Sequence, residues 1–381
     1  MTAWQKHRRW LISQVVLWVA VVVALRVAVV PAETCPPLSP AAVDSSLEAG
    51  AAWLVRGQGP DGRFRYGYDS DTGELATDYN TTRHAGVMDA LYRLGRVRAA
   101  DRGLAYARGN LIGADGWTAF APPGEQANVG VNALLVVALL HRREQTGEAR
   151  YDRLAERLAR FLAAQVQADG SVLQFWDPVG GRPVEGVFGK FSTGEAFYAL
   201  ALMNRAFPGA AWDAPAHRIA DYLATRRDRA EGYAYREADH WAAYGVAALG
   251  PAELTDGESD YARWLSGYFG WLVRLESQHT GRILNPFIES GAELGTIGEA
   301  TAALWDLAGE DPRLADLRGD LGERMGCLAG ILVERQAPVA NPDPRARGAW
   351  FADGYTQMDD QQHALAALLG ARGLLRTQGN G

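Results

Sequence analysis

Apolar residues recur every three to four positions along most of the chain, and the stretches with this period form two alternating classes. One class carries charges beside an apolar stripe, as in Tyr151 to Leu158, which is typical of a helix with one face in water. The other class is apolar nearly all round, as in Val131 to Ala138, which predicts a buried helix. The alternation predicts twelve helices in six hairpins, each made of one outer and one inner helix.

The connections between these helices also alternate in length. Outer helices are predicted over 41–57, 98–112, 149–168, 213–228, 259–278 and 312–335, and inner helices over 79–94, 128–142, 192–206, 239–249, 296–308 and 358–373. The connections from inner to outer helix are short, whereas those from outer to inner helix are long and polar. Each long connection contains a turn with glycine: Asp61-Gly62, Asp115-Gly116, Asp169-Gly170, Glu231-Gly232, Thr280-Gly281 and Arg347-Gly348. All long loops should therefore lie on one face, at the N-termini of the inner helices, where function concentrates.

A basic segment precedes a long apolar run at the N-terminus. Lys6 to Arg9 are followed by a mainly apolar run over 10–30, whose one charged residue is Arg26. This is the layout of a signal sequence and nearly the length of a membrane span. Basic residues on the short N-terminal side favour a cytoplasmic position for that side. We expect a retained anchor with the main domain outside the cytoplasm; secretion after cleavage near Ala32 is the alternative.

These patterns give a simple domain organisation. A basic segment (1–9), a membrane or signal-anchor segment (10–30) and a linker (31–40) precede one helical domain (41–373) and a flexible tail (374–381). A net charge of −7 argues against nucleic acid as a partner. The two cysteines are too few for a disulfide framework or a cysteine zinc site, so we assign them no role. No metal-ligand spacing is present, and we expect neither a metal nor a cofactor; the oligomeric state stays open.

Six hairpins with this asymmetry of loops resemble the large group of (α/α)6 toroids, over about residues 40–373. That group includes many glycoside hydrolases, some polysaccharide lyases, the N-acylglucosamine 2-epimerase family and, more loosely, terpenoid cyclases. The resemblance implies an all-α (α/α)6 toroid with its active face at the N-termini of the inner helices. It specifies the architecture far better than the chemistry.

Ionisable residues crowd the start of the inner helices, where they would line a central funnel. The catalytic candidates are Arg83, His84, Glu195, His240, Glu299, Asp359, Asp360 and His363. Glu195, Glu299 and His363 fall in the same position of their repeats. For His84 a hydrogen-bonded core histidine is the alternative, and for the two glutamates a first-turn role in stabilising the helix. Adjacent aspartates point to different faces, so we expect one of Asp359 and Asp360 at most to face the funnel.

Polar and aromatic residues near the same face suit sugar recognition, because flat rings cover the apolar sides of a pyranose. The candidates for substrate binding are Asp78, Tyr79, Asn128, Trp176, Tyr244 and Tyr355. Glu289 and Glu293, in the fifth long loop, are expected to be solvated charges at the rim.

Our first hypothesis is a glycoside hydrolase, in which two carboxylates from Glu195, Glu299, Asp359 and Asp360 flank the scissile bond. The second follows from the resemblance. The 2-epimerase family uses an arginine on the first inner helix and histidines on the fourth and sixth, which implies Arg83, His240 and His363 here. A non-catalytic glycan-binding or envelope assembly protein is the third. The Asp-x-Asp-Asp proton donor of terpenoid cyclases is incomplete, since Gln357 stands where its first aspartate would be.

Overall fold

The computed structural model describes residues 3–28, 32–114, 116–234, 236–278 and 291–379. The predicted turn at Thr280-Gly281 lies outside these ranges, as do Glu289 and residues 29–31 before the predicted cleavage site. Within the described ranges the chain is mainly helical, and outer and inner helices alternate as predicted.

Six outer and six inner helices form the main domain. The outer helices are Pro40–Arg56, Val97–Arg108, Asp152–Gln165, Asp213–Thr225, Asp256–Ser277 and Arg318–Arg335. The inner helices are Thr81–Arg93, Val129–Thr146, Ser192–Ala206, His240–Leu249, Gly291–Glu310 and Met358–Gly379. We number each set from one to six in chain order. A single-turn helix, Arg227–Ala230, follows outer helix four, and a 3-10 turn, Ala315–Leu317, precedes outer helix six.

The inner helices form a closed ring. Each inner helix contacts the next, and inner helix six contacts inner helix one. Outer helix one packs against inner helix six and outer helix six, so both ends of the chain meet. This closure confirms the (α/α)6 toroid expected from the sequence.

Small residues allow the inner ring to close tightly. A Cβ atom on Gly245 of inner helix four would lie 2.2 Å from the ring of Phe197 on inner helix three. On Gly298 of inner helix five it would lie 2.6 Å from the Cβ of Ala367 on inner helix six. Side chains larger than hydrogen at these points would force neighbouring helices apart, so the glycines set the spacing of the ring.

The N-termini of the inner helices are polar and lie together at one end of the toroid. Asn80, Asn128 and Asp239 cap inner helices one, two and four by accepting hydrogen bonds from first-turn amides. The long loops emerge at the same end, and we call this end the funnel face.

Short strands, which the sequence did not predict, tie the long loops together. Gly67–Asp69 pairs antiparallel with Tyr355–Gln357 and so joins the first long loop to the sixth. Leu111–Ala114 pairs with Trp117–Phe120 within the second loop. Phe175–Asp177 lies between Ala127–Asn128 and Arg182–Pro183. These pairs fix the loops around the mouth of the ring.

A separate N-terminal helix, Ala3–Ala28, precedes the toroid. Its stretch Trp4–Arg26 is long and apolar enough to cross a membrane, judged by length and composition alone, and its side chains do not pack into the toroid. A core helix of a soluble protein would be buried, so the exposure leaves a membrane span or a signal sequence as the two interpretations.

Residues 32–39, which we call the strap, connect that helix to outer helix one. A disulfide between Cys35 and Cys327 fastens the strap to outer helix six. Gly330, one turn further along, lets the strap lie close, because a Cβ atom there would come 2.5 Å from the carbonyl oxygen of Pro36. No role was expected for these cysteines, because they are 292 residues apart and nothing local in the sequence indicates a pair.

Candidate active site

A cavity of about 440 Å³ opens at the centre of the funnel face. Every inner helix contributes to its wall through residues of its first turns or its cap. The lining side chains include Asn80, Arg83, Asn128, Gln174, Lys190, Phe191, Glu195, His240, Trp241, Glu293, Thr296, Asp359, Gln362 and His363. The cavity thus gathers most of the sequence-predicted catalytic candidates, from inner helices one, three, four and six.

His363 lies between two carboxylates on the cavity wall. Its Nδ1 is 3.0 Å from Oε1 of Glu299, and its Nε2 is 3.5 Å from Oδ1 of Asp359. Burial alone would lower the pKa of His363, but Glu299 and Asp359 outweigh it and raise that pKa to about 10. His363 is therefore an imidazolium at neutral pH.

Asp359 also binds Arg83, which extends the charged network across to inner helix one. The Nε of Arg83 is 3.1 Å from Oδ2 of Asp359. Its Nη1 donates to the hydroxyl of Tyr66 at 2.5 Å and to the side-chain oxygen of Gln357. Burial raises the pKa of Asp359, but His363 and Arg83 pull it below its usual value, so this carboxyl is ionised.

His240 has the opposite character to His363. The two rings lie edge to face with centroids 5.3 Å apart. Burial, and then the positive charge of His363, lower the pKa of His240 well below its usual value, so its imidazole is neutral. Its Nε2 is buried and has no hydrogen-bond partner in the described part of the chain. A neutral acceptor and a charged donor therefore stand side by side.

Glu195 forms a second acidic group of the cavity. Burial first, and then the nearby carboxyl of Asp239, raise the pKa of Glu195 to about 8, so it is protonated at neutral pH. Gly130 of inner helix two makes room for it, because a Cβ atom there would lie 2.2 Å from Oε2 of Glu195. Asp239 itself caps inner helix four and is 3.2 Å from Nη1 of the buried Arg227.

His84 and Tyr79 lie away from the cavity. The Nδ1 of His84 is 2.6 Å from the hydroxyl of Tyr79, and its Nε2 is 3.1 Å from the carbonyl oxygen of Gly103. Burial lowers the pKa of His84 to about 4. With both nitrogens occupied inside the core, His84 matches the alternative of a hydrogen-bonded core histidine.

Asp360 braces two inner helices and does not line the cavity. Its Oδ1 accepts from the backbone N–H of Ala292 at 3.0 Å, and its Oδ2 accepts from that of Gln357 at 2.8 Å. Asp359 therefore faces the funnel and Asp360 serves as the cap, which is the division expected for adjacent aspartates.

The other candidates for substrate binding lie outside the cavity wall, apart from Asn128. Tyr244 is stacked on Tyr198 with ring centroids 4.8 Å apart, deeper in the ring. Trp176 packs edge-on against Trp117 at 5.2 Å. Tyr355 covers Gly67 at the join between loops one and six, and Asp78 is exposed at the rim.

Several residues of the cavity wall had no role in the sequence analysis. Trp241 and Gln362 each adjoin a candidate histidine, and Lys190 forms an ion pair of 2.7 Å with Glu237 at the mouth. Position in the first turn of an inner helix was the available signal. Position in the first turn cannot distinguish a side chain that points into the cavity from a neighbouring one that points into the core.

Two histidines of the cavity wall, together with Glu299, which does not line the cavity, could hold a metal ion. Ligand atoms of His240, Glu299 and His363 all lie within 4.8 Å of one another, although the sequence shows no metal-ligand spacing. His363 contacts a carboxylate through each ring nitrogen, so a metal would have to replace its proton and one of these contacts. A histidine and carboxylate set of this kind suits zinc or another first-row divalent ion.

No family model and no curated protein matches the chain. Solved structures of similar fold include a cellobiose 2-epimerase from Spirochaeta thermophila, with a TM-score of 0.61 at 14% identity over 89% of this chain and 97% of that one. The chain is a six-hairpin toroid. An α-1,6-mannanase of Salegentibacter is similar at a TM-score of 0.57 and 13% identity, over 88% of this chain and 100% of that one. A type II terpene cyclase from Scytonema is similar at a TM-score of 0.53 and 13% identity, over 88% of this chain and 99% of that one. Because these chemistries differ, the likeness shows the fold alone.

Proposed function

We propose that the chain is a carbohydrate-active enzyme that epimerises or isomerises a saccharide by moving a proton at a sugar carbon. One observation carries the proposal: His240 and His363 adjoin in the cavity and are held in opposite protonation states. Enolisation of a sugar needs a base for the proton on the carbon beside the carbonyl and an acid for the carbonyl oxygen.

The residues around the histidines fit these two tasks. His240 takes the carbon-bound proton while His363 gives its proton to the carbonyl oxygen, which produces an enediol. The enediol then turns its opposite face to His240, which returns a proton to that carbon while His363 takes back the proton of the enol hydroxyl. The carbonyl re-forms and the product is the epimer. Glu299 and Asp359 keep His363 charged before the reaction, and Arg83 offers donors to a hydroxyl or oxyanion of the sugar.

The positions of the candidate residues agree with the resemblance to the 2-epimerase family. A cellobiose 2-epimerase is among the solved structures of similar fold. The resemblance to the 2-epimerase family implied an arginine on the first inner helix and histidines on the fourth and sixth. Arg83, His240 and His363 occupy those helices and line one cavity.

A glycoside hydrolase is the second candidate, and Glu195 favours it. A buried carboxyl with a pKa of about 8, facing the cavity, is suited to protonate a leaving oxygen. Asp359, whose pKa is lowered, would then act as the second, ionised carboxylate. The similar α-1,6-mannanase fits this interpretation of the site.

We further propose that the toroid lies outside the cytoplasm and is anchored by its N-terminal helix. The apolar stretch Trp4–Arg26 supports the anchor, and the basic residues near its start favour export of the toroid. The Cys35–Cys327 disulfide supports an oxidising compartment, because such bonds rarely persist in the cytosol.

The test separates the two chemistries with one set of variants. The parent, His240→Ala, His363→Ala and Glu195→Gln are incubated in D₂O with reducing disaccharides and with uronic-acid oligosaccharides. Epimerisation predicts deuterium at a sugar carbon without new reducing ends, with losses of about 10²–10⁴ in rate for the histidine variants. His217→Ala, on outer helix four away from the cavity, is the matched control.

Two other results would contradict epimerisation and indicate a different function. New reducing ends that depend on Glu195 and survive His240→Ala indicate hydrolysis. Binding without turnover in every variant would leave a glycan-binding protein.

A further inference from the structure

The strap is clamped at the funnel-face end of outer helix five. Glu33 is 3.1 Å from the Nε of Arg274 and also pairs with Arg324 of outer helix six. The backbone N–H of Thr34 donates to the carbonyl oxygen of Ser277 at 2.7 Å. Ser277 ends outer helix five, and the long loop to inner helix five comes after it. The strap therefore meets the toroid beside the rim of the funnel.

The clamp leaves little free chain between the N-terminal helix and the toroid. That helix ends at Ala28, and Glu33 is already held by two arginines. An extended chain advances by at most about 3.6 Å per residue, so the Cα atoms of Ala28 and Glu33 are at most about 18 Å apart. If the helix spans a bilayer, the rim at outer helix five lies within that distance of its outer surface.

Exposed apolar side chains concentrate on the same face. Outside the N-terminal helix, six large hydrophobic side chains of the described residues are exposed. Five of them belong to the long loops of the funnel face: Leu75, Val179, Phe188, Phe191 and Val339. The sixth, Trp271, is 51% exposed and lies one turn before Arg274 on outer helix five. The toroid thus exposes its large apolar groups at the funnel face and beside the strap.

We propose that the funnel face lies against the bilayer that holds the N-terminal helix. The exposed loop side chains outside the cavity wall would enter the interfacial layer: Leu75, Val179, Phe188 and Val339. The indole of Trp271 would lie at the edge of that layer, where tryptophan is favoured. The proposal rests on the proposed membrane anchoring. Combined with the proposed function, it assigns as substrate a saccharide carried on the membrane, since the funnel mouth then opens toward lipid headgroups. A lipid bonded at the anomeric carbon leaves no free aldehyde, so the reacting carbon would be the one beside the carboxylate of a uronic acid residue.

A depth measurement on the full chain in lipid nanodiscs tests this orientation. Val179→Cys, which is 97% exposed in loop three, carries an environment-sensitive fluorophore, and lipids with spin-labelled acyl chains quench it. Ala252→Cys, exposed in the short connection after inner helix four on the opposite face, is the matched control. Cys35 and Cys327 are bonded to each other and do not take the label.

We expect strong quenching at position 179 and little at 252. Adding Cys35→Ser, Cys327→Ser and Glu33→Ala removes the disulfide and the ion pairs that hold the strap, so quenching at 179 should fall while the protein stays in the nanodisc. Adding Phe188→Asp should also reduce it, because a carboxylate resists entry into the interface.

Three outcomes overturn the proposal. Equal quenching at 179 and 252, or stronger quenching at 252, places another face on the lipid. A label at 179 that is shielded from water but not quenched indicates a protein partner, such as a second copy. Cleavage of the N-terminal segment with release of the toroid from the nanodisc is the third, because the toroid then has no tether to the bilayer. Loss of turnover with unchanged quenching would contradict the proposed chemistry and leave this orientation standing.

Discussion

The cavity histidines take their different protonation states from their immediate neighbours. Both rings are buried, and burial alone would make both neutral. Only His363 has carboxylates at both nitrogens, through Glu299 and Asp359. One fold can therefore hold an acid and a base in contact at neutral pH, as a proton-transfer site needs.

Removing the Glu299 charge should lower the pKa of His363. In Glu299→Gln, the pKa should move from about 10 toward the ordinary value near 6.5, because the nearer of the two carboxylates no longer stabilises the imidazolium. NMR titration of the imidazole protons measures the shift directly. The alkaline limb of kcat/KM should move to lower pH in parallel. Glu144→Gln, which removes an exposed carboxylate, should leave both unchanged.

The raised pKa of His363 also makes stability depend on pH. A histidine whose pKa is raised by folding stabilises the native state fully below its unfolded pKa of about 6.5, and this contribution is lost as pH rises through the folded value of about 10. The parent should lose free energy of unfolding over that window, and Glu299→Gln should lose less. An equal slope in both proteins would contradict the assignment of the charge to His363.

The sequence could indicate which residues lie near the funnel but not where each side chain points. His84 and His240 both lie in the first turn of an inner helix, as its fourth and its first residue. His84 nevertheless bonds Tyr79 and Gly103 in the core, while His240 lines the cavity. Successive side chains are about 100° apart around a helix axis, so a shift of one residue moves a side chain from the cavity to the core. Only the packing of neighbouring helices fixes that rotation.

At the scale of elements, Asp360 joins inner helix six to the start of inner helix five. The two carboxylate oxygens of Asp360 accept from the backbone N–H groups of Ala292 and Gln357. In Asp360→Asn one of these oxygens becomes an NH₂ group, which cannot accept. We expect the free energy of unfolding to fall by about 1–3 kcal/mol, because a buried N–H loses its acceptor. Turnover at a temperature where the variant stays folded should change little.

Asp359→Asn is the matched comparison. It should lower turnover by about 10² or more through loss of the His363 contact, with a smaller effect on urea unfolding. The opposite result, in which Asp359→Asn mainly lowers stability and Asp360→Asn mainly lowers turnover, would contradict these assigned roles.

The recurring glycine turns attach long loops to outer helices. Gly62, Gly170 and Gly348 all have positive φ angles, of 89°, 90° and 77°. A Cβ atom on Gly170 would lie 2.1 Å from the carbonyl oxygen of Arg218 on outer helix four, and Gly62 and Gly348 meet outer helices two and one in the same way. At these three of the six turns, the repeat seen in the sequence is thus a repeated contact with the backbone of an outer helix.

Gly170→Ala should destabilise the fold more than Gly116→Ala. Gly116 has a φ of 91°, and a Cβ atom added there would have no atom within 4 Å. Gly116→Ala should therefore lower the free energy of unfolding only through its left-handed backbone, by about 1–2 kcal/mol. Gly170→Ala adds a clash with backbone, which costs about 1–3 kcal/mol more. Denaturant unfolding of the two variants measures the difference. Equal losses would show that the contact with outer helix four contributes nothing.

At the scale of the whole molecule, periodicity and loop length were enough to predict a closed ring of twelve helices. Each helix has a strong 3.6-residue pattern, and alternating connections leave one way to arrange the pairs. The strand pairs between loops one and six were not predictable, because three residues such as Gly67–Asp69 carry no usable period. The disulfide was not predictable either, since its partners meet only when the ring closes.

Reduction of the disulfide should destabilise the toroid and remove the covalent link between the strap and outer helix six. The loss should be about 2–4 kcal/mol, because the bond limits the unfolded chain. Thermal unfolding with and without a reductant measures it, and Cys327→Ser should match the reduced parent and be insensitive to reductant. A reductant effect that persists in Cys327→Ser would refute the role of this bond.

The position of that bond also sets the order of events during synthesis. Cys35 leaves the ribosome early, but its partner emerges 292 residues later, after five of the six hairpins. A chain with two cysteines has a single intramolecular pairing, so no rearrangement by a disulfide isomerase is needed. Until Cys327 appears, the free thiol at position 35 can react only with other molecules. Cells that lack a dithiol oxidase should therefore accumulate the reduced chain and Cys35-linked dimers, and no scrambled monomer.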